Sequence, residues 1–258
     1  MALIREPAVA GSFYPSHPEV LSGTVRSLLG NIPESAGTPK AVIVPHAGYA
    51  YSGGVAGAAY SILEKNPNPG TILLVGPAHR HPVRGVATSS AEYFRTPMGE
   101  IPINRDVVEK ILSGRGAVVS DEAHREEHSL EVQLPFLQSI YKKMSIVPVV
   151  TGLSDRAVLG MFERVASNVG LIVISSDLSH FLRYEEAVEI DEKTSESIET
   201  LSPETIHNSQ ACGYAAICGY LRFAREMGMK ATRLKSANSG DISGNRLRVV
   251  GYGSFLFI

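Results

Sequence analysis

The chain has 258 residues, 44% of them hydrophobic, enough for a substantial core, and one domain over residues 1–258 is expected. Its 24 basic and 26 acidic residues are mixed along the sequence and leave a net charge of −2, which gives no electrostatic footprint for nucleic acid or an anionic membrane. No run approaches the ~20 apolar residues of a membrane span, and MALIREPAVAGSFYP lacks a basic segment followed by a continuous apolar one, so a cytoplasmic protein is expected.

Short apolar runs then alternate with longer segments of helical period. KAVIVP at 40–45 is followed by the helical VAGAAYSILEK, and TILLVGP at 71–77 by VRGVATS. NRDVVEKILSG and SLEVQLPFLQSIYKK read as helices, SIVPVVTG as a strand, RAVLGMFERVASN as a helix and LIVISSD at 171–177 as a strand. This alternation predicts an α/β fold, a three-layer α/β/α sandwich about a mostly parallel mixed sheet. After the helical ACGYAAICGYLRFAREMG, the segments ATRLKSANSGD and NRLRVVGYGSFLFI predict two strands that form an antiparallel C-terminal edge of the same sheet.

Three of the apolar runs end alike. AVIV leads into Pro45 and His46, ILLV into GPAH with His79, and LIVI into SSDLSH with Asp177 and His180. Ligands in open α/β sheets bind beyond the carboxyl ends of the strands, so three histidines fall on loops that could share a cleft. Each could instead be a packed histidine bonded to nearby backbone; their joint placement favours a site.

Two neutral imidazoles make half of a transition-metal site, and a thiolate or carboxylate usually completes it. His46 and His79 would supply the imidazoles from neighbouring strands. Cys212 would supply the thiolate, because a helix begins near Cys212 and Gly213 and a helix N-terminus favours thiolate over thiol. The plainer alternative for Cys212 is a small buried hydrophobe. Cys218 lies six residues deeper in the same helix, reads as core, and diverges too far in direction for a disulfide. His180 could accept and return a proton, with Asp177 orienting its ring or capping the next element.

Other chemistries fit less well. Ser175, Ser176 and Ser179 suggest a serine hydrolase, yet no G-x-S-x-G exists and GDISG at 240–244 has the wrong spacing. His124-Arg125-Glu126-Glu127-His128 matches the H-x-x-E-H pattern of a zinc hydrolase, but it precedes the helical periodicity that begins at SLEVQLPFL. Glu127, His128 and Glu131 are instead expected at a loop-to-helix junction, either on the rim of the site or as plain capping and solvated residues. Tyr49, with Glu127 and His128, is the expected lining for a substrate, with simple packing the plainer alternative for Tyr49. No phosphate-binding glycine motif occurs, since the glycines of YSGGVAGAAY have the wrong offsets.

REPAVAGSFYP (5–15), VPHAGYAYSG (44–53), GPAHR (76–80), FRTPMGE (94–100), EEHSLEVQLPFL (126–137), SSDLSH (175–180) and ACGY (211–214) occur in order along the chain. Together they resemble the successive signatures of the Memo family. The resemblance implies a fold similar to the class III extradiol dioxygenases, which are non-haem iron enzymes. It also implies a metal site on His46, His79 and Cys212, with the dioxygenase base at His180. Where those dioxygenases complete their site with a carboxylate, Cys212 stands here, and the softer thiolate favours copper or zinc and alters how Fe(II) would handle O₂.

The expected function is a metal-binding redox protein, with O₂ or a small substrate at an open position. A non-enzymatic module holding a peptide or protein in the same cleft is the alternative. The resemblance further implies links to radical SAM and AMMECR1-like proteins as partners.

Overall fold

The computed structural model describes residues 2–30 and 37–258. Its strands and helices, in chain order, are β1 (Ile4–Arg5), α1 (Pro18–Leu28), β2 (Ala41–Val44), α2 (Tyr49–Glu64), β3 (Thr71–Pro77), β4 (Val86–Thr88), β5 (Tyr93–Thr96), β6 (Gly99–Pro102), α3 (Arg105–Leu112), β7 (Ala117–Val119) and α4 (Asp121–Arg125). There follow α5 (Leu134–Ile140), β8 (Ser145–Thr151), α6 (Asp155–Val165), β9 (Leu171–Ser175), β10 (His180–Leu182), α7 (Tyr184–Glu199), α8 (Tyr214–Glu226), β11 (Ala231–Asn238), α9 (Ser239–Ser243) and β12 (Val249–Phe257).

Among the described residues, a nine-stranded sheet runs in the order β10-β12-β2-β9-β3-β8-β4-β7, with β11 also paired to β12. Strands β2, β9, β3 and β8 are mutually parallel, while β12 is antiparallel to β2 and β4 antiparallel to β8. The parallel strands are covered on both faces, which is why AVIV and LIVIS are buried at every position. Helices α1, α2 and α5 form one layer; α3, α6, α8 and α7 form the other. The predicted α/β/α sandwich and its antiparallel C-terminal strands are therefore present, and β1, β5 and β6 add a small second sheet.

Local chemistry sets the helix starts. The side chains of Asn104 and Ser154 accept from Val107 N–H and Ala157 N–H, capping α3 and α6. Helix α2 is apolar around most of its circumference because it is wedged between the sheet and the helices α1 and α5. Gly57 permits that wedge, since a Cβ there would lie 2.1 Å from the Leu28 carbonyl oxygen. One hydrophobic cluster extends from Val9 to Phe257. Among the described residues, no helix is long and apolar enough to cross a membrane.

Candidate metal centre

The ends of β2, β9 and β3 lie side by side, so the loops that follow them meet. His46 lies two residues beyond β2, His79 two beyond β3, and Asp177 two beyond β9. The expectation that His46 and His79 come from neighbouring strands is corrected: β9 is inserted between β2 and β3, and this places Ser175 beside His46. Cys212 enters from the turn before α8. Its N–H donates to the Asp177 carbonyl at 3.3 Å, and Asp177 N–H donates to its Sγ at 3.3 Å. Gly213 lets this turn lie against the end of β9, because an added Cβ would come within 2.7 Å of Ser176 Cβ.

One ligand atom from each of His46, His79 and Cys212 lies within 4.8 Å of the other two, and Cys212 Sγ is 3.2 Å from His46 Nε2. Nitrogen and sulfur bound to one tetrahedral ion are about 3.6 Å apart, so these separations suit a shared metal. Each imidazole also has its Nδ1 engaged from behind, His46 by Ser175 Oγ at 2.9 Å and His79 by Glu127 Oε1 at 2.9 Å. Such partners orient a ring and leave Nε2 for a ligand. His46 is buried, whereas the His79 side chain is 29% exposed and opens the centre to solvent.

Glu127 belongs to this support and not to the rim, where the sequence had placed it. Its oxygens accept from the backbone N–H groups of His79, His128 and Ser129 and from the His79 ring, and the residue is buried. Burial pushes its pKa up, but those hydrogen bonds outweigh it and hold the carboxyl well below the usual carboxylate range. His128 stacks over His79 at 4.7 Å and touches Phe13 at the same centroid distance. Burial takes its pKa down to about 4, so it is neutral at pH 7. His79, Glu127 and His128 form a second group with metal-ligand spacing that shares His79 with the first.

Two further expectations change. Tyr49 does not line a cleft: its hydroxyl donates to the Val132 carbonyl at 2.6 Å and its ring is buried against Tyr14 and Phe136. Asp177 does not orient His180. Its carboxylate accepts from His46 N–H at 2.7 Å and from Ala47 N–H, holding the start of the His46 loop, and burial raises its pKa to about 7 despite those bonds. The His180 ring is set by its own turn, with Nδ1 donating to the Leu178 carbonyl at 2.7 Å. Burial, and next the nearby His79, lower its pKa, leaving a neutral imidazole whose Nε2 can take a proton.

The Cys212 thiol also differs from expectation. Burial, and next the charge of Asp177, push its pKa far up, and these effects overwhelm any help from the start of α8. Without metal the group is a thiol, and its S–H can donate to His46 Nε2. The H-x-x-E-H reading fails on geometry. Helix α4 ends at Arg125, so His124 and His128 do not share a helix, and His124 Nε2 donates to the Ala87 carbonyl at 3.1 Å.

The REPAVAGSFYP segment straps the site from outside. Buried Arg5 pairs with buried Glu131 and donates to the carbonyls of His124 and Glu127, while Glu131 accepts from Ala8 N–H, Val9 N–H and the Tyr14 hydroxyl. The sequence offered Glu131 only as a rim, capping or solvated residue; a lone acid within the apolar SLEVQLPFL was the available sign of a buried partner. Beside this strap runs a groove of about 740 Å³, lined in part by Arg5, Glu6, Arg80 and Arg125, which reaches the residue after His79.

The chain matches the family model for Memo-like protein over residues 5–256. Similar proteins include a MEMO1 family protein of Aquifex aeolicus, 37% identical with 99% of each chain covered. One from Archaeoglobus fulgidus is 35% identical, covering 98% of this chain and 99% of its own. The fold is also similar to the crystal structure of an uncharacterized protein of Escherichia coli K12, with TM-score 0.56, 12% identity, and coverage of 83% of this chain and 98% of that one. With a match that spans nearly every residue and full-length relatives above one-third identity, the chain belongs to the Memo family.

Proposed function

We propose that this protein binds a divalent or redox-active metal, Fe(II) or copper in the first place and zinc as a further fit, through His46, His79 and Cys212. The observation that carries this reading is the approach of two imidazoles, both braced at Nδ1, and one thiol to within 4.8 Å of one another. Bound iron or copper would supply redox chemistry and an open position for O₂ or a small substrate.

The residues around it have distinct tasks. Glu127 and Ser175 orient the rings, Asp177 holds the His46 loop, and His180 accepts or returns a proton at Nε2. The groove that extends to Arg80, next in sequence to His79, is the place for a small molecule or peptide. The working compartment is the cytoplasm.

Elemental analysis of protein purified without an affinity tag tests the reading. The wild type is expected to carry one metal ion per chain, and His46→Ala and Cys212→Ser to lose it. Equal metal content in all three contradicts the site. Oxygen uptake with a panel of catechols and thiols then tests for turnover, which His180→Ala should abolish.

A further inference from the structure

The brace behind His46 is itself held by a chain of groups from three elements. Ser175 Oγ at the end of β9 meets three neighbours: the Ser129 carbonyl at 2.6 Å, Gln133 Nε2 at 2.8 Å and His46 Nδ1 at 2.9 Å. Gln133 in turn reaches the Pro45 carbonyl through Nε2 at 2.9 Å, and its Oε1 accepts from the Tyr60 hydroxyl of α2 at 3.0 Å.

Donors and acceptors in this chain admit one arrangement that satisfies every group. The Pro45 carbonyl can only accept, so the Gln133 atom facing it is the amide nitrogen, and that nitrogen donates to Ser175 as well. The Ser129 carbonyl can only accept, so the single Ser175 proton points at it. What Ser175 has left for His46 is a lone pair, and His46 must therefore carry its proton on Nδ1.

We propose that Ser175, Gln133 and Tyr60 form a neutral relay whose task is to fix the His46 tautomer, keeping the proton on Nδ1 and Nε2 bare toward Cys212. Ser175 is the positioning residue that touches the ring; Gln133 and Tyr60 act through it. His79 receives the same instruction from an ionised carboxylate, Glu127. The two imidazoles are thus set by partners of different charge, one neutral and one anionic. Replacing Ser175 with alanine leaves an amide donor and a carbonyl acceptor around the gap, so no group at Nδ1 dictates the tautomer.

The tautomer half of this inference stands without any metal; only its affinity half rests on the proposed metal site. The test is two-bond ¹H–¹⁵N NMR of the histidine rings in the full-length metal-free chain, with zinc titration of the same samples. The wild type should show His46 protonated at Nδ1. Ser175→Ala should lose that single pattern and bind zinc about 10–100-fold more weakly, with the His79 pattern unchanged, and Ser175→Thr should restore both.

A wild-type His46 protonated at Nε2 overturns the relay, and so does a folded Ser175→Ala that keeps the wild-type tautomer and zinc affinity. If Ser175→Ala does not fold, the wild-type spectrum still decides. A wild type with the proton on Nδ1 but no zinc uptake supports the relay and contradicts the metal site.

Discussion

Both Glu127 oxygens are engaged, Oε1 by the His79 ring and two backbone N–H groups and Oε2 by His79 N–H. Glu127→Gln turns one acceptor into a donor among donors. It should cost about 1–3 kcal/mol of stability by urea unfolding, from unpaired buried groups. It should also weaken zinc binding roughly 10–100-fold through the freed His79 ring. Unchanged affinity in a folded variant would remove Glu127 from the support of the site.

At this scale the sequence showed the donors better than their supports. His46, His79 and Cys212 stand out because each follows or precedes an apolar element. The partner of His79 sits 48 positions away, and no local pattern announces it. Tyr49 misled for a related reason: a tyrosine in a glycine-rich turn looks exposed until the fold supplies Tyr14 and Phe136 to bury it.

Between elements, the strap formed by residues 5–14 holds the 124–131 segment through the Arg5–Glu131 pair. Removing one partner leaves the other charge buried, so Glu131→Gln should cost roughly 3–5 kcal/mol in chemical denaturation. A loss below about 1 kcal/mol, the range of exposed pairs, would refute the strap.

Helix α7 gives a pH signature. Burial raises the Asp191 pKa to about 6 from 3.8, although its carboxylate accepts from Ser179 N–H at 2.9 Å. A folded pKa above the unfolded one means stability is fully present below about 3.8 and is lost as pH rises through about 6. Relative to wild type, Asp191→Asn should therefore melt more favourably at pH 8 than at pH 4. An offset independent of pH would contradict this assignment.

For the molecule as a whole, the layers were legible because the central strands are continuous apolar runs and the helices between them keep their period. The order of the strands was not. Nothing in LIVIS says that it inserts between AVIV and TILLVGP, yet that insertion places Ser175 behind His46. The β5–β6 hairpin and β10 also escaped, being only three or four residues long and partly exposed.

A ligand that binds only the folded chain stabilises it. Zinc at about 100 times its Kd should add about 2.7 kcal/mol, or roughly 5–10 °C in Tm for a domain of this size, and Cys212→Ser should show no such rise.

X-ray absorption at the zinc edge of the loaded full-length protein reads the donor atoms themselves. A His46, His79 and Cys212 site gives one sulfur at about 2.3 Å and two imidazole nitrogens at about 2.0–2.1 Å, with the sulfur shell lost in Cys212→Ser. A wild-type spectrum with no sulfur neighbour, or one that Cys212→Ser leaves unchanged, contradicts it.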